Sequence, residues 1–260
     1  MDYSVQVNKL NWSFDDKKIL SNITTKIKST GFTGIIGPNG SGKSTLLRVI
    51  LKILQPEKNT VYVENEDVTK LSYRELSKKA ASVPQDTAVD FDFSVMDIVL
   101  MGRSPHLKRF QEEQAKDFEI ARQAMEMTNI WHLKDRSINS ISGGERQRVI
   151  ISRALAQQSN ILVLDEPISH LDIHHQIAVL NITKKLCITK KLTVIAVLHD
   201  LNLAVQYSDY LILLNQGQIV AEGSPKEVVT KKNIENVYCI DVCMITNPIT
   251  GKPHIIPVTE

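Results

Sequence analysis

Apolar positions along the chain follow the two-residue period of strands in some segments and the longer period of helices in others. Near the start, residues 5–7 and 23–27 alternate apolar and polar side chains, which predicts half-buried strands in an antiparallel N-terminal part. Later apolar runs at 161–164, 193–198 and 210–214 predict buried strands, with helical patterns between them. This alternation is typical of a mainly parallel sheet, so we predict an α/β fold.

The middle of the chain, from about residue 90 to 159, has no strand pattern. Apolar positions at helical spacing in 111–127, and Ser94 placed three residues before Asp97, predict helices there. This segment therefore interrupts the α/β pattern as an inserted helical subdomain. We expect one domain over residues 1–260, with its core at about 1–89 and 160–260 and the helical subdomain at about 90–159.

Composition indicates an ordinary globular protein that is retained in the cytosol. The 260 residues are 42% hydrophobic and 23% charged, and the net charge of +2 provides no electrostatic footprint for nucleic acid, which we do not expect as a partner. The first residues resemble no signal peptide, and no apolar run approaches the ~20 residues of a membrane span. The three cysteines, Cys187, Cys239 and Cys243, are expected to be reduced thiols.

A glycine-rich loop stands between a short predicted strand at 31–36 and a helical pattern at 46–54 that we expect to end at Pro56. In this context the pattern G-x-x-x-x-G-K-[ST] predicts a P-loop, whose backbone N–H groups surround a polyphosphate. Lys43 is expected to reach the β- and γ-phosphates, and the Ser44 hydroxyl to bind Mg²⁺. The loop consists of Gly37, Pro38, Asn39, Gly40, Ser41, Gly42, Lys43, Ser44 and Thr45.

Two carboxylates follow the apolar run at 161–164. Asp165 would lie at the C-terminal edge of the sheet, where open α/β folds bind ligands, and could hold Mg²⁺ together with Ser44. Glu166 is next to it but points elsewhere, so we expect it to orient and deprotonate an attacking water. The sequence thus predicts a P-loop NTPase core with a divalent metal and a general base.

Between these two halves, residues 141–148 read Ile-Ser-Gly-Gly-Glu-Arg-Gln-Arg, which resembles the signature motif L-S-G-G-Q of ATP-binding cassette (ABC) proteins. Ile141 replaces the usual leucine and Glu145 the usual glutamine. The second change places a carboxylate near a helix start, where negative charge is favourable. Other elements occur in the family's order, namely Phe14 as the ring that stacks on adenine (with Trp12 as an alternative), Gln85 as the Q-loop glutamine, Asp172 in the D-loop and His199 as the switch histidine.

The resemblance implies an ATPase that works as an ATP-sandwich homodimer. Each signature, Ser142, Gly143 and Gly144, would complete the nucleotide site of the second copy. His199 would contact the γ-phosphate and hold Glu166 and water. Gln85 would ligate the metal and couple it to the helical subdomain, and Asp172 would report across the dimer.

A subtype is implied by the segment after the Q-loop. Its Gly102-Arg103-x-Pro105-His106 element and the C-terminal residues 224–253 resemble cassettes of importers for iron–siderophore, haem and cobalamin complexes. Such a cassette lies peripherally on the cytoplasmic face of the cell membrane, drives transmembrane permease subunits and acts indirectly with a substrate-binding protein. The alternatives are an importer ATPase for another cargo, a soluble ABC ATPase and a non-hydrolysing ATP-dependent module.

Two other groups of residues have competing interpretations. His170, His174 and His175 could suggest zinc, but His170 already belongs to the D-loop pattern, and no cysteine is near in sequence. Cys239 and Cys243 lack a second ligand pair and are better read as small reduced side chains.

Overall fold

The structure, a computed structural model, describes residues 2–86 and 91–258. Its largest sheet consists of β3 (Gly31–Ile36), β6 (Ala80–Val83), β7 (Ile161–Asp165), β8 (Thr193–Val197), β9 (Tyr210–Asn215) and β10 (Gln218–Gly223). The strand order is β10-β9-β3-β8-β7-β6. All neighbours pair in parallel except β10, which forms an antiparallel hairpin with β9. The mainly parallel sheet predicted from the sequence is confirmed.

A separate antiparallel sheet covers one side of this core. It consists of β1 (Tyr3–Phe14), β2 (Lys17–Lys28), β4 (Val61–Val63) and β5 (Glu66–Asp67), in the order β2-β1-β4-β5. The strands predicted at 5–7 and 23–27 lie within β1 and β2 but are longer, at 12 residues each. The antiparallel N-terminal part is thereby confirmed.

Helices connect these strands on both faces of the large sheet. They are α1 (Lys43–Ile50), α2 (Tyr73–Lys79), α3 (Val95–Leu100), α4 (Ala115–Met127), α5 (Gly143–Ala156), α6 (Ile173–Thr189), α7 (Leu201–Tyr207), α8 (Pro225–Val228) and α9 (Lys231–Tyr238), with short 3-10 helices at Met101–His106, Trp131–Leu133 and Ile138–Ser140. The expectation that the helix after the P-loop runs to Pro56 is wrong. It ends at Ile50, and Lys52 adopts a left-handed φ of 56° that a helix cannot continue through.

The helical insertion lies between β6 and β7, as the sequence predicts. Between residues 91 and 160 the described chain forms α3, α4, α5 and short 3-10 turns, without a strand. The proposed boundary at residue 90 falls outside the described residues. α4 begins at Ala115, later than the pattern from 111 indicates, because Gln114 and Asp117 form a capping box.

Two apolar cores lie on opposite faces of the large sheet. Along β7, Ile161 and Val163 pack with α1 and the antiparallel sheet, whereas Leu162 and Leu164 pack on the other face. The buried residues of the helical insertion, such as Val149, belong to this second core. The insertion therefore shares a core with the sheet, and its exact bounds stay a prediction.

A buried ion pair ties the insertion together. Arg103, whose side chain is 4% exposed, donates from Nε to Asp117 Oδ1 at 2.9 Å and from Nη1 to Ala156 O at 2.7 Å and Gln158 Oε1 at 3.0 Å. His106 Nε2 lies 2.8 Å from Gln157 O. Arg103 and His106 of the importer-like element thus connect the 3-10 turn after α3 to the end of α5.

Asp117→Asn is expected to lower the free energy of unfolding by about 3–5 kcal/mol, because the buried guanidinium of Arg103 loses its counter-charge. The Arg103 hydrogen bond holds the pKa of Asp117 below its ordinary value. The carboxylate therefore stabilises the fold above the unfolded-state pKa of about 3.9, and this stabilisation is lost as pH falls through the lower folded pKa. Thermal unfolding at pH 7 and across the acid range measures both effects.

The control for this variant is Glu126→Gln on the same helix. Glu126 pairs with Arg122 at 2.9 Å, but both side chains are about half exposed, at 47% and 52%. An exposed pair of this kind contributes about 0–1 kcal/mol. Equal changes in the unfolding midpoint for Asp117→Asn and Glu126→Gln would contradict the structural role of the Arg103 pair.

The last two described strands, β11 (Val242–Thr246) and β12 (Pro253–Pro257), form a hairpin that contacts α7. The Asn202 side chain exchanges two hydrogen bonds with the backbone of Ile255, at 2.8 and 3.1 Å. Lys252 Nζ caps α7 by donating to the carbonyls of Val205, Gln206 and Ser208. Among the described residues, no helix combines the length and apolar character needed to cross a membrane.

Candidate functional site

The glycine-rich loop turns between the end of β3 and the start of α1. Gly37 and Gly42 adopt φ values of 150° and 101°, which disfavour any residue with a Cβ. A Cβ at Gly37 would also meet the carbonyl oxygen of Leu214 and come within 2.8 Å of Ser41 Oγ. The strand–loop–helix context predicted for the P-loop is therefore present. Beside it lies a cavity of about 280 Å³ lined by Lys17, Ile19, Asn39, Gly40, Gly42, Lys43, Ser44, Thr45 and Glu166.

Lys43 is the buried cation of this loop, with 5% of the residue exposed. Its Nζ donates to the carbonyls of Gly37 and Pro38, both at 2.9 Å. Burial lowers its pKa, and the nearby carboxylates of Glu166 and Asp165 oppose that effect. The ammonium thus stands at the mouth of the loop, where a polyphosphate would provide its counter-charge.

Ser44 and Asp165 form an oxygen pair at the edge of the sheet. Ser44 Oγ donates to Asp165 Oδ1 at 2.8 Å, which joins the first turn of α1 to the end of β7. Burial raises the pKa of Asp165, and the Ser44 hydrogen bond partly offsets this. A hydroxyl and a carboxylate are hard oxygen donors, and Mg²⁺ typically takes one or two protein ligands beside phosphate and water. The pair therefore fits the Mg²⁺ ligands predicted from the sequence.

The side chain of Glu166 has different partners from that of Asp165, because the Glu166 backbone adopts a left-handed φ of 52°. Its Oε1 lies 2.5 Å from His199 Nε2, and its Oε2 accepts a hydrogen bond from Gln85 Nε2 at 2.8 Å. Gln85 thus donates to the neighbour of Asp165 in sequence. Its role as a metal ligand stays a prediction.

Phe14 ends β1 with 51% of the residue exposed. It meets the Trp12 ring edge to face, with ring centroids 4.1 Å apart. Both candidate rings for adenine stacking therefore lie together at one end of the antiparallel sheet. A stacking partner needs an accessible ring face, and the exposure of Phe14 meets that requirement.

Ser142 caps α5, so the two glycines after it begin the helix. The Ser142 hydroxyl accepts from the Glu145 N–H, and the Glu145 carboxylate accepts at 2.8 Å from both the N–H and the hydroxyl of Ser142. These bonds lower the pKa of Glu145. The glutamate that replaces the usual glutamine is thus the second partner of a capping box. The N–H groups of Gly143 and Gly144 lie in the first turn, where a helix offers no internal acceptor.

Asp172 is the cap of α6. Its Oδ1 accepts from the backbone N–H of His175 at 2.9 Å. This local bond lowers the pKa of Asp172. The side chain is therefore ordered within its own chain, and its proposed role across a dimer stays a prediction.

The predicted residues thus form two groups. Residues 37–45 meet Asp165, and Glu166 meets Gln85 and His199, at the carboxyl edge of the parallel strands. Residues 142–144 lie with the start of α6. Within the part of the chain that the structure describes, no hydrogen bond or ion pair joins residues 142–144 to the P-loop.

Sequence reasoning missed three residues at the site. Lys17 and Ile19, on β2 just after the turn that joins it to β1, line the cavity beside the P-loop. The hydroxyl of Tyr238, in α9, meets the backbone of Gly37, and burial raises its pKa. No motif distinguishes these positions, and their places depend on the three-dimensional approach of distant elements.

The histidine and cysteine candidates do not assemble. Within residues 2–86 and 91–258, no three His, Cys, Asp or Glu side chains lie together in a way that could hold a metal ion. Cys187 is buried, which raises its pKa to about 11, whereas Cys239 and Cys243 are exposed free thiols.

Comparison with known proteins decides the family. The model of the ABC transporter family matches residues 20–169. The chain belongs to the ABC transporter family. This cassette is an ATPase that uses ATP with Mg²⁺, as the motifs predict. It is 39% identical to the ferric enterobactin transport ATP-binding protein FepC of Escherichia coli (strain K12), over 96% of this chain and 92% of that protein.

Solved structures agree with the cassette fold. A chain from a metal-chelate type ABC transporter in an inward-facing conformation superposes with a TM-score of 0.87 at 28% identity, over 100% of this chain and 99% of the other. A bacterial ABC transporter cassette solved as a dimer superposes with a TM-score of 0.74 at 27% identity, over 85% of this chain and 98% of the other. The family thus includes cassettes that form dimers and cassettes built into transporters.

Proposed function

We propose that this cassette hydrolyses ATP to drive the import of an iron–siderophore or a related metal chelate, such as haem or cobalamin, through a transmembrane permease. The observation that carries the hydrolytic part is the contact of Glu166 with both Gln85 and His199 beside the Ser44–Asp165 pair. Similarity to a ferric enterobactin cassette over almost the whole chain supports the cargo class.

Hydrolysis would use the two carboxylates for different tasks. Asp165 and Ser44 would hold Mg²⁺, which supplies charge neutralisation at the β- and γ-phosphates. Glu166, turned away from that pair, would accept the proton of an attacking water. His199 would hold the Glu166 carboxylate in place, since its Nε2 lies 2.5 Å from Oε1. Lys43 would exchange its carbonyl partners for phosphate oxygens.

The signature motif supports a dimer as the active state. Residues 142–144 begin α5, whose first turn would offer a second anion site apart from the P-loop. Two copies packed head to tail would place each signature on the nucleotide of the other. Each ATP would then bind the closed dimer better than separate chains and shift the population toward it.

The rate of ATP hydrolysis is therefore expected to rise faster than linearly with protein concentration, below the concentration at which dimers saturate. The measurement is specific activity over a dilution series at saturating Mg²⁺-ATP. Specific activity that stays constant down to concentrations at which sedimentation shows only monomers would refute the dimer.

A permease would dock beside the Q-loop. Phe91, Phe93 and Met101 present large apolar side chains to solvent just after Gln85, with Phe91 69% exposed. The Phe91 and Phe93 rings meet, with centroids 6.1 Å apart, and a contiguous exposed apolar patch is typical of an interaction surface. Contact there would place the cassette on the cytoplasmic face of the cell membrane as a peripheral subunit. It would meet a substrate-binding protein only indirectly.

Uptake of labelled cargo tests the proposed function. Cells lacking this cassette are supplied with the wild type or with Glu166→Gln, and uptake of a labelled ferric siderophore, haem and cobalamin is followed separately. Loss of uptake of one cargo in the mutant would support import and identify that cargo. Unchanged uptake of all three would overturn the metal-chelate assignment, and pull-down of a permease or of ribosomes would then separate another importer from a soluble ABC ATPase.

A further inference from the structure

His175 fills the space that a side chain at Gly144 would need. A Cβ built on Gly144 would come within 2.6 Å of both Cδ2 and Nδ1 of the His175 ring, which is closer than real Cβ atoms approach other atoms. The imidazole therefore lies directly against the second signature glycine. Gly143 differs, because a Cβ there would lie 3.9 Å from Leu171 Cδ2, an ordinary contact distance.

The same histidine is tied to the D-loop cap. Its backbone N–H donates to Asp172 Oδ1 at 2.9 Å, and its Nε2 lies 4.0 Å from Asp172 Oδ2. The side chain of His175 is 29% exposed, and its ring lies between the start of α5 and the start of α6. One residue thus contacts both the signature glycine and the aspartate that begins α6.

We propose that His175 is a positioning residue for the signature, which fixes the first turn of α5 to the first turn of α6 before a nucleotide arrives. Gly144 has no side chain of its own to restrain its backbone, and a glycine has more conformational freedom to lose than any other residue. The imidazole limits that freedom from one side. The N–H groups of Gly143 and Gly144 then meet a phosphate with less ordering cost, which strengthens binding by preorganisation.

This inference rests on the proposed dimer, since residues 142–144 would act on the ATP held by the second copy. His175 would therefore affect the association of two ATP-loaded chains and leave nucleotide binding by the P-loop of its own chain unchanged. If His175 only stabilised α6, its replacement would not change dimer association separately from nucleotide binding.

The test uses the full chain in a Glu166→Gln background with saturating Mg²⁺-ATP, and sedimentation velocity gives the dissociation constant of the dimer. His175→Ala is expected to raise this constant about tenfold, the change that ~1.4 kcal/mol produces. His174→Ala is the matched control, because His174 is the adjacent histidine of α6 and is exposed. A fluorescent ATP analogue should bind monomers of all three proteins with the same affinity.

Two substitutions that change side-chain size test the contact between Gly144 and His175. Gly144→Ala alone should weaken the dimer at least about 100-fold, because the new methyl overlaps the imidazole. Gly144→Ala combined with His175→Ala opens room for that methyl and should recover about tenfold of the loss, a coupling expected only between residues in contact. Because the double variant is compared with Gly144→Ala, the test still applies if the single histidine variant is less stable.

The outcomes separate the two proposals. An unchanged dimer constant for His175→Ala, or no recovery in the double variant, overturns the role of His175 and leaves the dimer intact. Failure of the Glu166→Gln background to dimerise with ATP overturns the dimer, and the inference with it. Equal weakening by His174→Ala and His175→Ala also overturns the inference, because it would indicate a general effect on α6.

Discussion

Glu166→Gln is expected to reduce the turnover number for ATP about 10²–10⁴-fold while ATP binding is retained, because a general base contributes a factor of that size. The amide preserves the shape of the side chain and can still meet His199 and Gln85, but it cannot accept a proton from water. Since Lys43, Ser44 and Asp165 are unaltered, the nucleotide site should load normally. ATP that binds without being hydrolysed should then hold two chains together.

Single-turnover hydrolysis and equilibrium binding of ATP measure the two effects separately. Glu145→Gln is a suitable control, because it makes the same chemical change at a glutamate of the signature that accepts no proton in the proposed mechanism, and glutamine is the usual residue there. That control should retain most of the turnover. Rapid turnover by Glu166→Gln would show that another group accepts the proton.

Lys43→Ala is expected to raise the dissociation constant for ATP about 100-fold or more. Hydrogen bonds to charged groups contribute about 1.5–3 kcal/mol each, and the ammonium can donate to both the β- and γ-phosphates. The fold should persist, because burial already disfavours the charged form of Lys43, as its lowered pKa indicates. Removing it takes away a desolvated charge together with its contacts to two loop carbonyls.

Isothermal titration with ATP and with ADP measures the change in binding, and thermal unfolding without nucleotide checks the fold. Lys58→Ala, which removes an exposed lysine that does not line the cavity beside the P-loop, is the control and should bind ATP like the wild type. If Lys43→Ala bound ATP within threefold of the wild type, the assignment of Lys43 to the phosphates would be wrong.

Local sequence signals predicted much of this molecule because they depend on short-range physics. The P-loop is one example, since the glycines, the start of a helix and the adjacent Lys43 and Ser44 all occur within nine residues. The capping box at Ser94 was likewise predictable from two residues three positions apart. Element type was therefore predictable wherever caps and periodicity agreed.

Contacts between distant elements were not predictable in the same way. Arg103 was noted as part of an importer-like element, yet its partners are Asp117 and two groups at or just after the end of α5. The approach of Tyr238 to Gly37 and of His175 to Gly144 depends on how helices pack across the sheet. The spacing of residues along the sequence does not indicate these distances in the fold.

The alternation of β7 between the two cores has a consequence for insertions and deletions. Ile161 and Val163 face α1, and Asp165 continues that face toward Ser44. Loss of one residue from this strand would exchange the two faces and place Glu166 where Asp165 now meets Ser44. Because β7 pairs with a neighbour on each side, the slip could not be absorbed at an edge. The length of β7 is therefore as much a determinant of the chemistry as the two acids that follow it.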